Sequence, residues 1–159
     1  MKKGAILSKN RLYRYALWRE WDSSKGVCVF ICLNPSSADE TEDDPTLRRC
    51  VNFAKSWGFG KCVILNLFAY RATDPDELKK QDKPVGYKNN YHIKAQSSLA
   101  DLVVVAWGNH GSFLERDKKV LKLFKDIPIK CFQVTAKGQP AHPLYQSKTV
   151  QLINYEYKY

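Results

Sequence analysis

Neither GxxxxGK[ST] nor GxGxxG occurs in the 159 residues of this chain, so the glycine loops by which many nucleotide-dependent enzymes cradle phosphate are missing. HExxH and paired CxxC motifs are missing too, and no metal or other cofactor is expected. No apolar stretch approaches the roughly 20 residues of a membrane-spanning helix, and no signal-peptide pattern is present. The expectation is a soluble, cytoplasmic monomer with no membrane partner. Disulfides are not expected either. The five cysteines, at 28, 32, 50, 62 and 131, are odd in number and unpaired in spacing, as a reducing compartment favours. They read as small buried thiols. Acids are scarce: 16 Asp and Glu stand against 26 Lys and Arg, for a formal charge of +10 and a pI near 9.4. For one small domain that balance favours a polyanionic partner, DNA first, with solubility alone as the alternative. The excess is spread over the Arg11-to-Arg19 segment, Lys79, Lys80, Lys118, Lys119, Lys122 and Lys125, so it is not a tail.

What the chain does contain is a set of apolar, β-branched runs with polar endings. Val27-Cys28-Val29-Phe30-Ile31-Cys32-Leu33 runs into Asn34-Pro35-Ser36-Ser37, and Cys62-Val63-Ile64-Leu65 runs into Asn66-Leu67-Phe68-Ala69-Tyr70-Arg71. Leu102 to Ala106 leads into Trp107-Gly108-Asn109-His110-Gly111, and Lys130 to Val134 leads toward Lys137 and Ala141-His142-Pro143. Short continuous apolar runs between helical stretches read as parallel strands buried on both faces. An α/β protein follows: one domain over 1–159, a three-layer α/β/α sandwich around a mainly parallel four-stranded sheet, with strands near 27–33, 61–66, 102–107 and 129–134.

The remaining elements are placed by their punctuation. Leu12 to Trp18 reads as a strand with Tyr13, Tyr15 and Leu17 on one face, reversed by the turn Asp22–Gly26 into the first buried run as an N-terminal hairpin. Asp44 is an N-cap and Pro45 a first helical residue, with Leu47, Val51, Ala54 and Trp57 following at helical spacing. Gly58 and Gly60 end that helix. A short capped turn is expected at Thr73–Leu78, and a helix with Tyr87, Tyr91, Ala95 and Leu99 along one side. Ser112-x-x-Glu115 reads as a capping box for a helix buried through Leu114, Val120, Leu121 and Phe124. The segment Thr149–Tyr157 reads as a last edge strand.

In an open parallel sheet, ligands bind beyond the carboxyl ends of the strands. The polar inventory there is Asn34, Ser36, Asn66, Asn109, His110 and His142, with Phe68, Tyr70, Trp107 and Tyr145 close by. Each amide offers a donor and an acceptor, and aromatic faces stack on bases. That combination suits a nucleobase better than a sugar phosphate or an acyl group.

Asn34-Pro35, Leu65-Asn66-Leu67 with Arg71 following, Val105-Ala106-Trp107-Gly108 and Ala141-His142-Pro143-Leu144 resemble, in order, the motifs of the uracil-DNA glycosylase superfamily. Over nearly its full length the chain also resembles an uncharacterised domain family with LNPS, DDPT, NLFAYR, WG and HPLY motifs. The glycosylase resemblance implies the corresponding fold, and Asn34 as the group that positions water, where uracil-specific members carry Asp. It implies that Asn66 reads the Watson–Crick edge of a flipped pyrimidine, and that His142 donates to a base carbonyl oxygen. Leu144 and Tyr145 match the wedge that enters the base stack. Ser36, Phe68, Trp107 and Asn109 would line the base pocket, and Arg71 and Lys137 would meet DNA. Two positions depart from the pattern. Cys32 replaces a usual Gly, and Ser36 replaces the bulky Tyr that excludes a 5-methyl group, leaving room at C5 for thymine or a modified pyrimidine.

The implied activity is hydrolysis of a pyrimidine N-glycosidic bond, and an amide at position 34 can hold a water but cannot take its proton, so slow chemistry is expected. Asp43 or Asp44 is an alternative source of the missing carboxylate. Two other functions remain open: a non-catalytic module that binds nucleic acid or a flipped base, and an N-glycosidase of free modified nucleotides.

Overall fold

A computed structural model describes residues 1–156 of the chain. The fold is mixed α/β. Among the described residues its seven strands are β1 (Lys2–Leu7), β2 (Arg14–Glu20), β3 (Val27–Cys32), β4 (Lys61–Asn66), β5 (Leu102–Val105), β6 (Lys130–Cys131) and β7 (Ile153–Asn154), in the sheet order β1-β2-β4-β3-β5-β6-β7. The four α-helices among these residues are α1 (Pro45–Ser56), α2 (Pro75–Lys79), α3 (Asn89–Ser97) and α4 (Arg116–Leu121). β3 pairs in parallel with β4 and with β5, and β6 joins β5 in parallel. β1, β2 and β7 are antiparallel to their neighbours, so the sheet is mixed and wider than the expected four strands plus a hairpin strand.

The hairpin expectation is corrected. β2 and β3 do not pair, because β4 lies between them, and the true hairpin joins β2 to β1. The turn at residues 22–26 is instead tied to the start of β4, where Trp21 N and Asp22 N both donate to Gly60 O. A side chain at Gly60 would collide with the Asp22 carbonyl, so only glycine permits this approach. The face assignment in β2 is corrected as well. Ile6 opposes Ala16 and Leu7 opposes Arg14, leaving Tyr15 unopposed in a β-bulge. Tyr15 therefore does not share a face with Leu17.

Alternation along the central strands produces two cores. Val29, Ile31, Val63, Leu65, Val103 and Val105 pack toward Leu78 of α2, Ile93 of α3 and Val120 and Leu121 of α4. Cys28, Phe30, Cys32, Cys62, Ile64 and Val104 pack toward Leu47, Cys50, Phe53 and Ala54 of α1. α1 begins as its sequence demands: the Asp44 carboxylate accepts from Leu47 N at 2.8 Å, Pro45 follows, and Gly58 closes the end at φ 87°. All five cysteines are buried and unpaired, and burial pushes the thiols of Cys28, Cys50 and Cys62 upward and that of Cys131 up to about 11.

Three further expectations are corrected. In α3 the buried residues are Asn89, Ile93 and Ser97, while Tyr87, Tyr91 and Leu99 are exposed. Asn89 goes inside because its Nδ2 donates to the carbonyls of Asn66 and Leu67, which ties the helix to the end of β4. The Ser112–Glu115 capping box does not form: residues 109–115 are 3₁₀-like, Leu114 and Glu115 are left-handed, and α4 starts only at Arg116. Leu114 is exposed in consequence. β6 keeps only two residues of the expected 129–134 strand, since Val134 bridges Pro140 instead. So short a neighbour leaves only Ile153 and Asn154 of the expected 149–157 strand to pair, at the sheet edge; Tyr157 lies outside the described residues. Among the described residues no helix is long and apolar enough to cross a membrane.

Candidate functional site

Beyond the carboxyl ends of β3, β4 and β5 lies a cavity of about 600 Å³. Asn66 at the end of β4, the loops after β3 and β5, and the segment after β6 bring Asn34, Ser36, Asn66, Trp107, Asn109, His142, Leu144 and Tyr145 to its lining. Strand polarity explains the convergence, because parallel strands deliver their exit loops to one edge.

Asn34 is held by its amide nitrogen, which donates to Ala72 O at 2.8 Å and to Pro35 O at 3.1 Å. Its Oδ1 accepts from no described residue, which leaves that oxygen available to a water or ligand proton. Asn66 is 2% exposed, and its Oδ1 accepts from Arg14 Nη2 at 3.1 Å. Its Nδ2 donates to no described residue. His142 caps the 3₁₀ turn Pro143–Tyr145, its Nδ1 accepting from Leu144 N at 3.2 Å. That bond fixes the tautomer: the ring proton sits on Nε2, which is left as a donor. Burial holds the imidazole below its ordinary pKa, partly offset by the Asp44 carboxylate, so the ring is neutral near pH 7.

Trp107 is fully buried, with Nε1 donating to Gln139 Oε1 at 2.8 Å, while Gln139 Nε2 donates to Asp117 Oδ2 at 3.1 Å. A side chain at Gly111 would strike the Trp107 ring. Asn109 accepts from Thr135 Oγ1 at 2.6 Å, and its Nδ2 donates to no described residue. Leu144 and Tyr145 stand exposed at the rim, Tyr145 by 84%.

Three expected site residues are elsewhere. Phe68 is fully buried against Phe113 and offers no stacking face to the cavity. Arg71 spends its guanidinium on the backbone oxygens of Ser36, Arg11 and Ser37, so it shapes the Ser36–Ser37 turn instead of projecting to a phosphate. Lys137 is exposed but outside the lining. Of the two candidate carboxylates, Asp44 lines the cavity, with oxygens accepting from Leu47 N and Ala38 N. Asp43 is turned to Arg19, at 3.0 Å. His110, part of the polar inventory expected at the crevice, is on the lining.

Arg14 was not foreseen. It is 3% exposed and lines the cavity, with Nη1 donating to Ala38 O, Nη2 to Asn66 Oδ1, and Nε without a partner. Burial pushes its guanidinium down to about 10, and Asp44 offsets part of that shift; the cation persists at neutral pH. No periodicity marks a buried arginine. The available hint was a single Arg flanked by Tyr13, Tyr15, Ala16 and Leu17.

The two depressed histidines carry a consequence for stability. Burial lowers His142, and burial with the nearby Lys88 charge lowers His92. Below the ordinary imidazole pKa of about 6.5 the unfolded chain binds protons that the folded chain refuses, so stability falls with acidification in that window and is insensitive above it. Urea melts from pH 7 down to 5 should show this decline, and a combined His92→Gln and His142→Gln variant should flatten it. An unchanged slope in the variant would assign the effect to other groups.

No curated protein and no solved structure is significantly similar to the chain. A family model described as "Protein of unknown function (DUF1643)" does match, over residues 14–144, a span that runs from the buried cavity arginine to the rim residue Leu144. The chain belongs to that family.

Proposed function

We propose that this protein takes a pyrimidine flipped out of DNA and hydrolyses its N-glycosidic bond, within a helix–sheet–helix layering of the uracil-DNA glycosylase type. The observation that carries this reading is the meeting of Asn34, Asn66 and His142 in one cavity, with Asn34 Oδ1, Asn66 Nδ2 and His142 Nε2–H all free of partners among the described residues. Departure of the base breaks the C1′–N1 bond, leaves the electron pair on the base and makes the sugar cationic. His142 Nε2–H donates to the base oxygen that gathers this charge, an interaction worth about 3 kcal/mol when it strengthens in the transition state. Asn34 Oδ1 accepts from a water and aims it at C1′, and the water's proton leaves to solvent. Asp44 adds a carboxylate to the same lining, where it favours the cationic sugar.

Asn66 reads the base edge. Its Nδ2 donates to a base carbonyl, while Arg14 holds the amide by its oxygen and fixes which way it faces. Ser36 leaves space beside C5. Flipping the nucleotide costs a few kcal/mol, offset by exposed Leu144 and Tyr145 entering the stack.

Oligonucleotides carrying a panel of modified pyrimidines, assayed for abasic sites by alkaline cleavage, test the reading directly. Ser36→Tyr should abolish cutting of C5-substituted bases and spare unsubstituted ones, and Asn66→Ala should relax which base is accepted. A wild-type protein that binds DNA and cuts no base in the panel would establish a base-binding module instead. That second reading is favoured by one feature: Asn34 supplies no base to deprotonate the water.

A further inference from the structure

The chain has a second, larger hollow, about 1090 Å³, between the end of β1, the start of β2 and the segment leading into α3. Its lining includes Tyr13, Tyr15, Tyr87 and His92, together with Lys9, Lys83 and Lys88. Among the described residues no Asp or Glu lines it. Tyr15 and His92 stack at 5.3 Å and form the floor, and Tyr13 lies nearly parallel to Tyr15 at 6.4 Å and 8°. Tyr13 is half-buried and anchored through its hydroxyl, which donates to Lys83 O at 2.9 Å. Tyr87 is 90% exposed. It stands beside three cations, with Lys88 Nζ over its ring at 5.6 Å, and no acid pairs with them: neither Lys9, Lys83 nor Lys88 forms a salt bridge among the described residues.

From this groove we propose a binding site for single-stranded nucleic acid: unpaired bases stack on Tyr13 and Tyr87 while the backbone phosphates meet Lys9, Lys83 and Lys88. Charge complementarity chooses the occupant. Uncompensated lysines disfavour a cationic or neutral apolar partner, and aromatic faces interleaved with positive charge are how sequence-tolerant single-strand sites work. A duplex buries its base faces and could use only the lysines. The two sites share only β2, since Tyr13 and Tyr15 line the groove and Arg14 lines the cavity. The groove is therefore independent of the excision reading, and a protein that cuts nothing could still hold a strand there.

Fluorescence anisotropy with a labelled deoxythymidine oligomer about ten nucleotides long tests it. Tyr87→Ala should weaken binding about tenfold, and Tyr87→Trp should retain it, a pattern that a loss of charge or fold would not produce. Changing Lys9, Lys83 and Lys88 together to Ala should reduce the log–log salt slope by about two, as expected for three phosphate contacts on a single strand. Photo-crosslinking with 5-iododeoxyuridine in the oligomer locates the bases: adducts on Tyr13 or Tyr87 support the site. Adducts confined to Tyr145 at the cavity rim would overturn it, as would wild-type affinity in Tyr87→Ala and the triple lysine variant. Failure of excision with adducts at Tyr87 would sink the glycosylase reading alone.

Discussion

His142→Ala should reduce base release by roughly 10²–10³-fold while leaving low-temperature DNA binding nearly intact. The asymmetry follows from where the donor acts. Charge grows on the base oxygen only as the glycosidic bond breaks, so the Nε2–H bond is weak in the ground state and strong in the transition state. On the proposed reading, ground-state affinity rests on phosphate contacts and on stacking by Leu144 and Tyr145, whose side chains His142→Ala leaves in place. Asn34→Ala should lose rate to a similar degree by releasing the water, and Asn34→Asp should raise it, because a carboxylate can both hold and deprotonate that water. The measurement is single-turnover cleavage under saturating enzyme, with binding followed separately by anisotropy. Wild-type rates in both alanine variants would show that neither residue has the assigned role.

The largest effect on the fold should come from Trp107→Ala, about 3–5 kcal/mol. This side chain is fully buried, meets Tyr155 edge to face at 6.2 Å, and closes a chain of hydrogen bonds through Gln139 to Asp117. Its removal opens a void in the cavity wall and strands the Gln139 carbonyl. Set against a typical total of about 5–15 kcal/mol, the loss brings the domain close to unfolding. Trp107→Phe separates the two contributions, because it restores most of the packing and still lacks the Nε1 donor; it should cost about 1–3 kcal/mol. Urea denaturation should show a lower midpoint at unchanged slope in both. A loss below about 1 kcal/mol for Trp107→Ala would mean that the wall collapses to fill the space.

The parts of this molecule legible in sequence are those set by local rules. β4 ends at Asn66 and α1 starts after Asp44 because an apolar run and a capping residue act within a few positions. Asn34, Asn66 and His142 could be grouped from sequence because strand polarity alone sends exit loops to one edge. What escaped depends on partners far along the chain. Arg14 is buried only because Ala38 O and Asn66 Oδ1, 24 and 52 residues away, accept its protons. The inner face of α3 follows Asn89, whose hydrogen bonds to the end of β4 outweigh the apolarity of Tyr87, Tyr91 and Leu99. Phe68 was misplaced for a related reason. It follows a strand, where an aromatic suggests a site, yet Phe113 covers it.

The bulge at Tyr15 makes the two hollows separable by length alone. With Leu7 opposite Arg14 and Ile6 opposite Ala16, Tyr15 is a surplus residue, added without moving Arg14 relative to Leu17. Deleting Tyr15 would leave a regular ladder with Arg14 still in the cavity and the groove with only His92 of its stacked floor. A single inserted codon would thus have been enough to add Tyr15 to a strand already committed to the cavity, and a single deletion would remove it.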